Sequence, residues 1–275
     1  MRENEWSREH KRGMGNERCS PGVVFDLDGI LVDSEPYWIK GFSTGLAQIL
    51  KERGHGTHEL DPNLMGRFLG GRVPDAVGAI LEWLHFGSEI DALERSAIVR
   101  EVVTYVTAEF VANPTPIEEA VSTVRVLQEA GVPLAVASSS AMSFIDAVLD
   151  VLGLKDAFPV KLSALDLPRG KPDPAVYLRA LDQLGLTPQL SVAVEDSRVG
   201  VLAAVNAKMR CVWYLPGHEP GSIRAEISDL AAQSDSGADN PSDIARLVTG
   251  HQHLSPELLF GILEELASEQ SDNDH

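Results

Sequence analysis

Apolar and polar positions follow two rhythms along this chain, and the rhythm changes twice. Val23-Val24-Phe25 is β-branched and aromatic without polar interruption, the pattern of a strand buried on both faces. It stops at Asp26-Leu27-Asp28-Gly29. From about Tyr37 to Val111 the spacing turns helical: Phe42, Leu46, Ile49 and Leu50 share one face, and Ile80, Leu81 and Leu84, then Val102, Val103, Val106 and Phe110, repeat the signature. Gly70-Gly71 and Pro74 break that stretch in its middle. After Asn113-Pro114-Thr115-Pro116 short apolar runs alternate with helical ones. Strands are predicted at Val132–Ala137, Val160–Leu162, Ser191–Val194 and Cys211–Tyr214. Helices are predicted over Ile117–Ala130, after the serines 138–140 as far as Leu152-Gly153, over Pro174–Leu184 and over Val199–Ala207, with Gly131 and Gly185 as stop signals.

Such alternation predicts an α/β fold, a Rossmann-like three-layer core around a parallel sheet with right-handed crossovers. The helical block interrupts it directly after the first strand and is expected to be an inserted small α-helical cap domain. The expected organisation is a disordered leader at 1–19, a discontinuous core at 20–36 and 114–232, the cap at 37–113, and an acidic C-terminal extension at 233–275. The extension opens with a polar linker, Gln233–Ser242, and carries a short helix from Ser255 to about Ala267. That helix could dock on its own core, mediate a dimer or stay loose.

Charge narrows the partners. Against 23 Lys+Arg stand 41 Asp+Glu, a net charge of −18 in 275 residues. A polyanionic surface repels nucleic-acid phosphates and anionic lipids, so neither nucleic acid nor membrane is an expected partner, and an anionic substrate needs a local positive site. Two cysteines, Cys19 and Cys211, make no disulfide framework. No apolar run approaches the roughly 18 residues of a membrane span, and the charged N-terminus is not a secretory signal. The expectation is a cytoplasmic protein, monomer or weak dimer.

Ligands of open parallel sheets bind at the carboxyl ends of the strands. Here those ends carry Asp26 and Asp28, Ser138 and Ser139, and Glu195 and Asp196, with Lys171 in a Gly-Lys-Pro turn. Each alone could be a helix cap or a solvated turn. Together, four acids on one edge repel each other and favour a hard divalent cation, oxygen-only ligation pointing to Mg²⁺. Lys171 and the serines supply donors suited to a phosphate.

The stretch from Val24 to Glu35, VFDLDGILVDSE, strongly resembles the first motif of the haloacid dehalogenase-like phosphohydrolases. Ser138 matches the second motif, Lys171-Pro172 the third and Glu195-Asp196-Ser197 the fourth, over residues 22–217. The insertion point matches the family's small helical cap, and the detail is similar to the β-phosphoglucomutase-like subgroup, closest to its hexitol-phosphate and 2-deoxyglucose-6-phosphate phosphatases. The resemblance implies Asp26 as nucleophile and Asp28 as acid and base. It implies Ser138, Ser139 and Lys171 as phosphate ligands, and Mg²⁺ held by Asp26, the Asp28 main chain, Asp196 and Glu195, the last directly or through a neighbour. It implies a phosphatase acting on a small phosphorylated sugar or polyol through an aspartyl-phosphate. A β-phosphoglucomutase-type mutase is the alternative, and a catalytically retired sensor the more distant one. The mutase's cap arginine has no counterpart at Pro74, although Arg67 or Arg72 could substitute, and Ala141-Met142 stands where it has Lys-Asn. Trp38, Arg67, Arg72, Trp83 and His85 are weaker candidates for substrate contact. Hinges are expected near Pro36 and Asn113–Pro116.

Overall fold

The computed structural model describes residues 21–86, 89–216, 245–250 and 254–273. The leader at 1–19 with Cys19, and the linker Gln233–Ser242, lie outside the described residues. Among those described, six strands form one parallel sheet: β1 (Gly22–Phe25), β2 (Leu134–Ser138), β3 (Val160–Ser163), β4 (Ser191–Glu195), β5 (Arg210–Pro216) and β6 (Ala245–Gly250). Their spatial order is β3-β2-β1-β4-β5-β6, every neighbouring pair parallel. β1 is central, and the chain passes first to one side of it and then to the other. That reversal is the point in a doubly wound sheet where a crevice opens at the strand ends.

The period-two alternation of strand side chains sorts the core into two layers. Val23, Phe25, Val136, Val194 and Val212 face one side, under the helices α6 (Glu118–Ala130) and α7 (Met142–Val151). Val24, Ala135, Ala137, Ala193 and Cys211 face the other, under α8 (Ala175–Leu184) and α9 (Arg198–Asn206). Small residues on that second face let the two helices approach closely. Gly131 and Gly185 end α6 and α8 at φ 80° and 68°, the left-handed closure their positions predict.

The insertion is helical: α1 (Glu35–Lys40), α2 (Leu46–Glu52), the short α3 (Pro62–Met65), α4 (Val73–Trp83) and the long α5 (Ala92–Ala112). Between α1 and α2 the backbone loosens into a π-helical turn, Gly41–Gly45. Both end glycines press on α5: a Cβ on Gly41 would lie 2.3 Å from Val106, and one on Gly45 2.8 Å from Tyr105. Pro74 opens α4 instead of breaking a helix, a position where its missing N–H costs nothing. The two crossings between cap and core run side by side. Asp33 N donates to Thr115 O at 3.0 Å, Thr115 Oγ1 to Asp33 O at 2.7 Å, and Ile117 N to Leu31 O at 3.0 Å.

The C-terminal region differs from the expected extension. Residues 245–250 add β6 to the core sheet, and the last helix, α10 (Pro256–Asn273), is longer than predicted and packs on the core. Leu254, Leu259, Ile262, Leu263 and Leu266 are buried in the same cluster as Val23 and Phe25. Thr123 Oγ1 donates to Leu254 O at 2.9 Å, and Arg210 holds Glu265 and Glu269. Of the three fates open to this helix, docking on its own core is the one observed.

Candidate active site

Asp26 is the first residue past β1, at the carboxyl edge beside the reversal point. Lys171, from the turn before α8, reaches it: Nζ donates to Asp26 Oδ1 at 2.7 Å, to Glu195 Oε1 at 2.5 Å and to Ala137 O at 3.0 Å. Glu195 ends β4, is fully buried, and is held on both oxygens. Tyr177 Oη donates to its Oε1 at 2.5 Å, and Ser197 Oγ to its Oε2 at 3.1 Å. The Lys171 ammonium also lies 5.1 Å from the centre of the Tyr177 ring. Ligand oxygens of Asp26, Glu195 and Asp196 lie within 4.8 Å of one another.

Two glycines make this crowding possible. Gly29, at φ +73°, turns the chain under Asp196, where a Cβ would sit 1.9 Å from Asp196 Oδ2. A Cβ on Gly200 would sit 2.0 Å from the Glu195 carboxylate. Only hydrogen fits at either position.

Asp28 stands apart from the triad. Its Oδ1 accepts from Ser34 Oγ at 2.5 Å and Trp38 Nε1 at 3.2 Å, its Oδ2 from Ser138 Oγ at 3.1 Å and Ser140 Oγ at 2.8 Å. Ser138 is wholly buried and also accepts from Ser140 N at 2.9 Å. Ser139 and Ser140 reach the pocket, whereas Ser138 lies beneath it. As a phosphate donor, Ser138 would have to surrender its Asp28 contact.

The electrostatics follow from three carboxylates sharing one ammonium. Burial lifts the Asp26 carboxyl from its ordinary 3.8 to about 8; Lys171 opposes the rise, and Glu195 and Asp28 add to it. Asp196 is raised well above its usual value by burial and by Asp26 and Glu195. Burial alone would lower the Lys171 ammonium, but Asp26 and Glu195 outweigh it, so this lysine stays charged. An all-oxygen donor set with excess negative charge suits a hard divalent cation such as Mg²⁺. With Glu195 engaged on both oxygens, Asp26 and Asp196 offer the freer ligands.

The pocket above these groups holds about 260 Å³. Its floor is Asp26, Asp28, Lys171, Asp196 and the serines 139 and 140, and its cap wall is mainly Trp38, Phe42, Phe68, Leu69 and Val73. Among the described residues no arginine lines it. Arg72 turns instead to Asp75 at 2.8 Å and lies against Gly170.

Residues 21–208 match the family model of the haloacid dehalogenase-like hydrolases. The chain belongs to that family. Hexitol phosphatase B of Escherichia coli K12 is 29% identical over 222 residues, 80% of this chain and 95% of the relative. The phosphoglycolate phosphatase of Pseudomonas putida is 28% identical over 238 residues, 78% of this chain and 79% of the relative. The crystal structure of β-phosphoglucomutase from Clostridium difficile superposes with a TM-score of 0.65, covering 92% of this chain and 99% of the other at 18% identity, a likeness of fold.

In this hydrolase the structure brings Asp26, Lys171, Glu195 and Asp196 into direct contact or immediate proximity, with Asp28 and the serines 138–140 one layer away. Sequence reasoning missed Tyr177, Ser34, Ser140, Gly29 and Gly200. Tyr177 reads as core on an amphipathic helix, because nothing in the spacing shows a hydroxyl aimed at β4. Ser140 was legible as a strand-end serine but looked like a cap. Of the weaker cap candidates Trp38 lines the pocket, Trp83 is half-exposed outside it, and Arg67, Arg72 and His85 do not line it.

Proposed function

We propose that this hydrolase is a Mg²⁺-dependent phosphatase acting on small sugar or polyol monophosphates through an aspartyl-phosphate intermediate. The observation that supports it best is the asymmetry of the pocket. One end holds a buried carboxylate against a permanently charged lysine beside further carboxylates, and the other is an apolar wall without a cationic side chain among the described residues. That pocket has room for one phosphoryl group and a neutral leaving group. A mutase intermediate carrying a second phosphate would find no cationic partner among the described residues of that wall, only the like-charged Glu35. The hexitol phosphatase and phosphoglycolate phosphatase relatives carry phosphatase activity in their names, and a cap wall that offers apolar side chains and Glu35 but no cation favours a polyol over a carboxylate-bearing leaving group.

In this mechanism Lys171 holds Oδ1 of Asp26, leaving Oδ2 to attack phosphorus in line. The P–O bond to the sugar breaks, and Asp28 gives its proton to the departing oxygen. Asp28 then takes a proton from water, which attacks the phosphorus of the aspartyl-phosphate, frees the Asp26 carboxylate and releases phosphate. Lys171 and the Ser139 amide stabilise the equatorial oxygens, with Ser138 joining once it leaves Asp28. Bound by Asp26, Asp196 and the Asp28 main chain, Mg²⁺ would neutralise charge on the phosphoryl oxygens. Glu195 and Tyr177 hold Lys171 in aim, and the cap wall excludes water that would compete with the sugar. The test is phosphate release from a panel of hexose, hexitol, glycolate and nucleotide monophosphates, with Mg²⁺ and then with EDTA. Mg²⁺-dependent release from hexitol or hexose phosphates, lost in Asp26→Asn, is expected. Conversion of β-glucose 1-phosphate to glucose 6-phosphate without free phosphate would overturn it.

A further inference from the structure

We infer that Glu35 is a specificity-determining residue: its carboxylate accepts hydroxyl groups of the leaving sugar or polyol and turns away leaving groups that carry an anion of their own. This inference rests on the reading of the site as a phosphatase of small monophosphates. Glu35 is the first residue of α1, directly after the N-cap Ser34, and it lines the pocket beside the apolar wall. It is exposed to solvent, and among the described residues its carboxylate has neither an ion pair nor a hydrogen bond. The chain just before it is fastened to the core. Asp33 N donates to Thr115 O at 3.0 Å, and Thr115 Oγ1 to Asp33 O at 2.7 Å. Glu35 therefore stands at a set place on the junction between core and wall.

The other polar side chains lining the pocket are already engaged or face the phosphate. Lys171 is held by Asp26 and Glu195. The Asp28 carboxylate accepts four hydrogen bonds, those of Ser34 and Ser140 among them, and Ser197 Oγ is bonded to Glu195. Asp196 belongs to the carboxylate cluster that suits a cation, and Ser139 follows the end of β2 on the phosphate side. The wall is apolar apart from the Trp38 indole, a donor only. Among the described residues this leaves Glu35 as the charged side chain with uncommitted oxygens on the leaving-group side. A polyol brings several O–H donors into that apolar surround, and each one left without an acceptor loses the hydrogen bond it made in water. A carboxylate answers this need with two acceptor oxygens and with stronger hydrogen bonds than a neutral group makes. The same charge repels a carboxylate or second phosphate on the substrate, and within the Debye length of about 8 Å salt does not screen it away. An acid in the first turn of a helix also suits the helix dipole. That local reason for Glu35 predicts no discrimination between substrates.

The test uses a matched pair, glucitol 6-phosphate and 6-phosphogluconate, which share chain length and phosphate position and differ by a carboxylate at the far end. The readout is the ratio of their kcat/KM values in Mg²⁺, polyol over acid, and wild type is expected to favour the polyol. Glu35→Gln keeps the length and one acceptor oxygen but removes the charge. It is expected to lower the ratio about tenfold, mainly by raising kcat/KM for 6-phosphogluconate, the order of one like-charge contact at a partly hydrated site. Glu35→Lys is expected to lower it further and put 6-phosphogluconate ahead. Glu82→Gln removes the same charge from an exposed position of α4 outside the pocket, and its ratio is expected to stay at the wild-type value. That variant separates a local contact from the overall net charge of −18. A wild-type preference for 6-phosphogluconate, unchanged ratios in both Glu35 variants, or an equal fall in Glu82→Gln would overturn the inference. Wild-type turnover separates the two layers of argument. If wild type releases phosphate from glucitol 6-phosphate while the Glu35 variants keep its ratio, only the role of Glu35 fails; if it releases phosphate from neither ester, the phosphatase reading falls and the inference with it.

Discussion

Raising the pH should destabilise the metal-free protein, and the reason lies in Asp26. Its carboxyl is lifted from 3.8 to about 8, first by burial. Below 3.8 both folded and unfolded chains hold this proton and no difference arises. Between the two values only the folded state holds it, so the folded state binds more protons and stability falls as pH rises; above about 8 the loss is complete. A proton held by the folded state alone makes stability fall by roughly 1 kcal/mol per pH unit, hence by a few kcal/mol between pH 5 and 7. For a protein of this size that is a drop in Tm of about 5–10 °C. Other groups titrate too, and Glu101, lowered by its hydrogen bond to Arg53, works in the opposite direction at lower pH. The comparison is therefore wild type against Asp26→Asn, melted in parallel in EDTA at pH 5, 6 and 7. Wild type should lose more stability per pH unit than the variant, and Mg²⁺, which favours the ionised carboxylates, should shrink the difference. Parallel melting curves in EDTA would refute the claim that burial holds Asp26 in its neutral form.

Gly29→Ala, forced against Asp196 Oδ2 at a left-handed φ, should raise the Mg²⁺ concentration for half-maximal activity by at least about tenfold and cost about 1–3 kcal/mol of stability, read by Mg²⁺ titration and urea melts. Tyr177→Phe should cut kcat while leaving the fold intact, at a cost of about 1.5–3 kcal/mol for one hydrogen bond to a charged group; a kcat equal to wild type would remove Tyr177 from the site. Leu263→Ala, on the wholly buried face of α10, should cost about 2–5 kcal/mol in a denaturant titration, and a cost below 1 kcal/mol would mean the helix is not docked in solution. Inorganic phosphate should raise Tm in Mg²⁺ and have no effect in EDTA; equal shifts in both would show that Lys171 and the backbone suffice to bind it.

Legibility in the sequence tracked the range of the forces involved. Strands β1, β2 and β4 were plain because burial on both faces leaves an unbroken apolar run that local pattern reveals. The chemistry was plain for the same reason, since Asp26, Ser138 and Glu195 punctuate those runs. β6 was missed although Leu247-Val248-Thr249 before Gly250 is a fair strand, because a six-residue edge strand inside an acidic region depends on pairing with β5 for its stability. The length of α10 was also underestimated: its polar last turns are helical without an apolar stripe, and Arg210 from β5 supplies partners for Glu265 and Glu269. Within the site, contacts across long sequence separation stayed invisible. Nothing local says that Trp38 reaches Asp28, that Tyr177 reaches Glu195, or that Ser138 is spent beneath the pocket.

The net charge of −18 and the proposed anionic substrate look opposed until the charges are placed. Two carboxylates 4 Å apart repel by about 4 kcal/mol at an effective dielectric near 20. Asp26, Glu195 and Asp196 lie about that close, with Lys171 as the one cation among the described residues of the cluster, and part of the repulsion is relieved by protons, as the lifted Asp26 shows. A phosphate dianion entering that cluster would add to the same repulsion. The chemistry of the cluster therefore suits a cation before it suits an anion. The order follows from which contacts are already made: Lys171 is committed to Asp26 and Glu195 before any ligand arrives, so it cannot by itself turn the balance positive. Gly29 and Gly200 show where the fold yields to this demand, since each gives up its side chain to let a carboxylate in. A methyl group at either position would push the acids apart; hydrogen keeps them crowded, an arrangement suited to a divalent cation.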